Sequence, residues 1–146
     1  LVDPEAADVV FRSGLPLTMA GLDVTLKALV FPEDFERIRA LGNPIAVVVA
    51  EWLDFFYSFH RSIGYAGAPV HDAVAVAALI RPEILIIKDY YVQIETCGDF
   101  CRGATVADHY GFSHQPPNTH AIIDIDREGF IDLLAQAVSW YGKGAA

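Results

Sequence analysis

Apolar residues recur at helical spacing in five stretches and alternate or cluster in four others, and Gly, Pro, Asp and Ser mark the boundaries between them. Asp3 before Pro4 is a helix start: a capping oxygen, then a residue whose missing N–H costs nothing in the first turn. That helix carries Ala6, Ala7, Val9, Val10 and Phe11 and stops at Ser13-Gly14. Leu15 to Val24 reads as a buried strand. A second helix begins near Pro32 and runs through Phe35, Ile38 and Leu41 to Gly42. A long one follows Pro44 and reaches about Ser62, with Trp52, Phe55, Phe56 and Phe59 on its latter part. Gly64 to Pro69 is a loop, after which Asp72 is expected to cap a short helix, Ala73 to Ile80, halted before Pro82. Tyr90–Glu95, Gly103–Asp108 and His120–Ile125 read as strands, and Phe130 to Trp140 as a terminal amphipathic helix. The order predicts an α/β layered fold over a single domain, residues 1–146, with strands parallel at the front and antiparallel at the rear.

Composition narrows the functional classes. The chain is 53% hydrophobic, with mean hydropathy +0.34, which disfavours disorder and suggests that some apolar surface meets another chain or further sequence. A net charge of −9 without any Lys/Arg cluster argues against nucleic-acid binding. The longest apolar run, Ile45 to Phe59, is interrupted by Glu51 and Asp54, so no membrane span is expected. The start, Leu1-Val2-Asp3-Pro4-Glu5, has no initiator Met and no leader-like pattern, and it reads as the entry to a helix cut from something longer. Cys97 and Cys101 make no disulfide framework, and a reducing, cytoplasmic setting is the default.

The pair His71-Asp72 holds the most informative chemistry. Lying between a Gly-containing loop and a helix start, Asp72 serves either as an N-cap or as a metal ligand. His71 is either a packed or solvent-facing neighbour or an acid that hands a proton to a leaving group. Phe55, Phe56 and Phe59 are either core residues of an amphipathic helix or contacts to a ligand. Asp126, in Asp124-Ile125-Asp126, reads as the cap of the terminal helix. The two cysteines read as inert strand-end thiols, and His109, His114 and His120 as surface histidines.

The run Gly64-Tyr65-Ala66-Gly67-Ala68-Pro69-Val70-His71-Asp72-Ala73, with Leu79-Ile80-Arg81-Pro82 behind it, resembles the inosine–uridine preferring nucleoside hydrolase family. So do Asp3-Pro4-Glu5-Ala6-Ala7 with Phe11-Arg12-Ser13-Gly14, and Gly21-Leu22-Asp23-Val24-Thr25. Cys101 to Asp108, followed by Pro117-Asn118-Thr119, completes the ordered set. The resemblance implies the carboxy-terminal portion of a Rossmann-like nucleoside hydrolase fold, with mixed parallel and antiparallel strands and flanking helices. It implies hydrolysis of the N-glycosidic bond of purine or pyrimidine ribonucleosides through an oxocarbenium-like transition state. A Ca²⁺ ion would bind ribose hydroxyls and the attacking water, which an aspartate deprotonates. Asp72 falls on a metal-ligand aspartate and His71 on a histidine beside the nucleobase. By gapless counting, Phe59 and Ile63 fall where relatives carry Tyr or Gln as base contacts, which implies a more apolar lid; His60 and Tyr57 are alternative contacts. The family's Asp-rich metal motif and its Glu-x-Asn substrate loop would precede this segment. The expected partners are therefore a ribonucleoside, the amino-terminal half of the same fold and further copies in a dimer or tetramer. A non-catalytic remnant serving nucleoside binding or assembly is the alternative.

Overall fold

In the computed structural model, which describes residues 2–142, the chain divides into two units. Among the described residues the first comprises 2–19 and 87–123, the second 20–86 and 124–142.

In the first unit, helix α1 (Pro4–Phe11) starts where the sequence predicts: Asp3 Oδ1 accepts from Ala6 N at 2.9 Å. Strand β1 (Thr18–Met19) lies parallel to β7 (Thr119–Ile125), pairing Thr18 with His120 and Met19 with Ala121. Strands β5 (Val92–Ile94) and β6 (Thr105–Ala107) form an antiparallel pair. Asn118 stitches this unit together: its Oδ1 accepts from Val92 N at 2.8 Å, and its Nδ2 donates to Val92 O and Phe11 O at 3.0 and 3.2 Å.

The second unit is mainly helical. It holds α2 (Leu22–Thr25), β2 (Leu29–Val30), α3 (Pro32–Arg39), α4 (Pro44–Ser62), β3 (Ala68–Pro69), α5 (His71–Ile80) and α6 (Arg127–Gly142). Asn43 caps α4 through Ala46 N at 2.8 Å, ahead of Pro44 in the first turn. Ile38, Ala46 and Ala50 form a buried cluster against which Val49, Leu53 and Val138 pack. Small residues on α4 let the helices approach closely there. Asp126 caps α6 as expected, accepting from Gly129 N at 3.2 Å. Strand β4 (Leu85–Tyr90), most of which belongs to the first unit, completes there a three-stranded sheet in the order β1-β7-β4.

Four expectations need correction. Leu15–Val24 is not one buried strand: only Thr18–Met19 is extended, and Leu15 and Leu22 are each 65% exposed. Gly21 O accepts from both Val24 N and Thr25 N, closing a helical turn that removes those residues from any ladder. Strand β4 was not foreseen, because its exposed Ile86 and Ile87 break the period-two pattern; the predicted strand at Tyr90 begins only at Val92. Antiparallel pairing is not confined to the rear, since β2 and β3 pair Leu29 with Pro69 and Val30 with Ala68. Nor does Asp72 cap α5. The extended chain of β3 runs up to Val70, which is the N-cap without a side-chain bond, so Asp72 falls inside the first turn.

Candidate active site

The segment that delivers His71 is prepared by two glycines. Gly64, at φ +95°, turns the chain out of α4, a conformation that costs other residues more. At Gly67 a Cβ would stand 2.7 Å from Val30 O and from the Phe31 ring, so only glycine lets β3 lie against β2 there.

Strand β2 is in turn clamped by Arg127. Its Nε donates to Leu29 O at 2.9 Å, one terminal nitrogen bonds Asp34 Oδ2, and the guanidinium lies over the Phe31 ring, 4.3 Å from its centroid. The same Asp34 oxygen accepts from Phe31 N at 2.8 Å. Asp34 is buried, so this ion pair works in a setting where losing either partner strands a charge. The latch runs from α6 through β2 to β3, one residue short of the α5 cap.

His71 and Asp72 open α5 and line a cleft of about 540 Å³. Facing them across it are Trp52, Phe55 and Phe56 of α4, at the i, i+3, i+4 spacing of one helix face. The lining is almost wholly apolar apart from His71 and Asp72. His71 Nδ1 lies 2.7 Å from Thr25 Oγ1, and Thr25 is buried at 1% exposure. Asp72 is exposed, and no hydrogen bond or ion pair engages its carboxylate among the described residues. Asp72 lies in the first turn of α5, close to the free backbone N–H groups of the helix start.

The other residues singled out by sequence lie elsewhere. Phe59 and Ile63, at the end of α4, are exposed at 62% and 56% and do not line the cleft. Phe55, Phe56 and Phe59 are not core residues; all three are exposed. Tyr57 packs edge-on against Phe35, and His60 sits among Phe56, Phe59 and Tyr65 with Nδ1 3.0 Å from Phe56 O. His109, His114 and His120 are exposed, as expected, and Cys97 and Cys101 are free, exposed thiols of the β5–β6 connection. Thr25 and Arg127 escaped the sequence reading. Thr25 lies 46 positions from His71, so no local pattern links them.

Calcium, implied by the resemblance, can be tested against this donor set. Among the described residues no group of three or more His, Cys, Asp or Glu side chains could hold a metal ion. The cleft offers one carboxylate, whereas calcium takes six to eight oxygens. The residues present do not fit a calcium site by themselves.

Comparison with known proteins fits the geometry. Residues 1–132 match the model of the family described as inosine-uridine preferring nucleoside hydrolase. The pyrimidine-specific ribonucleoside hydrolase RihA of Enterobacter sp. (strain 638) is 49% identical over 142 residues, covering 96% of this chain and 45% of that protein. RihA of Citrobacter koseri is 49% identical over 144 residues, 97% of this chain and 46% of the relative. The chain thus spans just under half the length of these curated relatives. A purine-preferring ribonucleoside hydrolase from Gardnerella vaginalis superposes with a TM-score of 0.83 at 28% identity, over 96% of this chain and 45% of that one. The plant nucleoside hydrolase PpNRh1, at 23% identity and a TM-score of 0.80 over 93% of this chain and 45% of that one, shares the fold. With a family match running from residue 1 to residue 132 and a superposition over nearly the whole chain, this mixed α/β chain belongs to the inosine-uridine preferring nucleoside hydrolase family.

Proposed function

We propose that this chain forms the base-side part of a ribonucleoside hydrolase active site, in which His71 contacts the departing base and Asp72 contributes one oxygen ligand set to calcium. The observation that carries this reading is the adjacency of His71 and Asp72 on a cleft whose opposite wall is aromatic. A planar base stacks on apolar rings, while the one imidazole in the cleft supplies a directional contact. In the reaction the bond between the sugar C1′ and the base nitrogen breaks, and its electron pair leaves with the base. An N–H of His71 directed at the base stabilises that charge. On this reading the water-activating carboxylate and the remaining metal ligands come from residues outside this chain, which spans just under half the length of its curated relatives.

Pyrimidine ribonucleosides are the favoured substrates, because relatives 49% identical over nearly the whole chain bear that specificity in their name. Free, exposed thiols at Cys97 and Cys101 fit a cytoplasmic setting. Exposed apolar side chains such as Leu79, at 86%, fit a homo-oligomer. With only Asp72 in the cleft, the isolated chain is expected to bind nucleoside without turning it over. The test is ribose release from uridine, cytidine and inosine by the full-length protein. Hydrolysis that disappears when His71→Ala and Asp72→Ala are combined supports the reading; hydrolysis that survives both refutes it.

A further inference from the structure

Thr25 is one of three polar or charged residues in the buried set, and its hydroxyl ends 2.7 Å from the Nδ1 of His71. No other hydrogen bond of that hydroxyl is found among the described residues, and no buried side-chain polar atom there lacks a partner. A hydroxyl has one proton to give and two lone pairs to offer. Leaving a buried O–H without an acceptor costs more than leaving a lone pair unused. The hydroxyl therefore donates, and Nδ1 receives it with its lone pair.

We infer that Thr25 is a positioning residue that fixes neutral His71 in the tautomer protonated at Nε2, making it a hydrogen-bond donor to whatever occupies the cleft. Nε2 has no partner among the described residues, and His71 lines the cleft. A donor is what a base gathering negative charge requires, whereas a bare Nε2 lone pair would repel it. Thr25 can hold this geometry because it is itself held. It lies on α2, where Thr25 N donates to Gly21 O at 3.0 Å, and its side chain is out of reach of water that would compete for Nδ1. His71 is fixed from the other side by the β2–β3 pairing that ends at Pro69. The consequence rests on the proposed base-side role of His71; the tautomer does not.

The test is the ¹⁵N spectrum of the imidazole in full-length protein labelled at histidine, at a pH where the ring is neutral, with His71 assigned by its substitution to Gln. The expected result is one Nε2–H form in the native protein and in Thr25→Ser. In Thr25→Val, which keeps the shape and removes the hydroxyl, the Nδ1 resonance should lose its hydrogen-bonded shift and move toward that of unconstrained imidazole. An Nδ1–H form in the native protein, or an Nδ1 resonance unmoved by Thr25→Val, overturns the inference. In turnover, Thr25→Val should lower kcat about tenfold with KM little changed, and Thr25→Ser should restore it. If the spectra behave as expected but His71→Gln hydrolyses nucleoside at the native rate, the base-side role of His71 fails while the role of Thr25 stands.

Discussion

The two walls of the cleft are built on opposite principles. The wall bearing His71 is tied down: Thr25 holds the ring, β2 pairs with the strand that delivers it, and Arg127 clamps β2 through Leu29 O, Asp34 and the face of Phe31. On the wall bearing Trp52, Phe55 and Phe56 the rings are 70%, 81% and 41% exposed, while α4 itself is anchored by its buried Ala46 and Ala50, by Tyr57 against Phe35 and by Asp54 paired with Arg39. One wall spends buried polar contacts on orientation. The other presents apolar area to a partner or a ligand. Directional chemistry needs a fixed N–H, while stacking tolerates variation in ring position.

The contrast can be broken most sharply at His71. His71→Gln in the full-length protein is expected to lower kcat about a hundredfold or more, read as ribose release from uridine. Second in size is the latch. Arg127→Ala leaves Asp34 buried without its partner and should cost about 3 kcal/mol of stability, measured by denaturant unfolding. Arg127→Lys should recover little of it, because an ammonium cannot reach Asp34 and Leu29 O together in a planar fork.

The aromatic wall should answer in the opposite sense. Trp52→Ala and Phe55→Ala remove exposed rings, so stability should change by no more than about 0.5 kcal/mol. KM for uridine should rise about fivefold or more from lost stacking, with kcat nearly constant. A fall in stability as large as that of Arg127→Ala would show that both walls are structural.

The smallest effect lies outside the cleft, in the other unit. Glu95 accepts from Cys97 N at 2.7 Å and Gly98 N at 2.9 Å, and those backbone donors hold its carboxyl below the ordinary value near 4.5. A lowered pKa stabilises the fold above the ordinary value and loses that contribution as pH falls through the folded one. Glu95→Gln should thus lower Tm slightly at about pH 6, and the difference should shrink as pH is taken down below the ordinary carboxyl value, seen by thermal melts.

Helices were the most legible part of the chain. Asp3-Pro4 and Asp126 each announce a capping oxygen at a helix start, and the apolar run after Pro44 ends at Ser62, as does α4. Short strands were less legible. Two-residue pieces such as β1, β2 and β3 carry no period of their own, and β4 turns two isoleucines outward. At the site, the adjacency of His71 and Asp72 was plain, but counting back along α4 led to Phe59 and Ile63 rather than to the rings that line the cleft. Counting gives sequence distance, and which face of a helix meets a cleft depends on its rotation against its neighbours.

By itself the sequence determined what depends on neighbouring residues: the caps, the long apolar helix, and the placing of an imidazole and a carboxylate side by side after a glycine loop. It also carried the ordered motifs of the family. Only the tertiary structure decided what depends on residues far apart. It brought Thr25 onto His71 and Arg127 onto Asp34, and it set Val70 rather than Asp72 as the cap of α5. The physical reason is that a hydrogen bond or ion pair is specified by position in space, and partners 46 or 93 residues apart share no local pattern that would announce them.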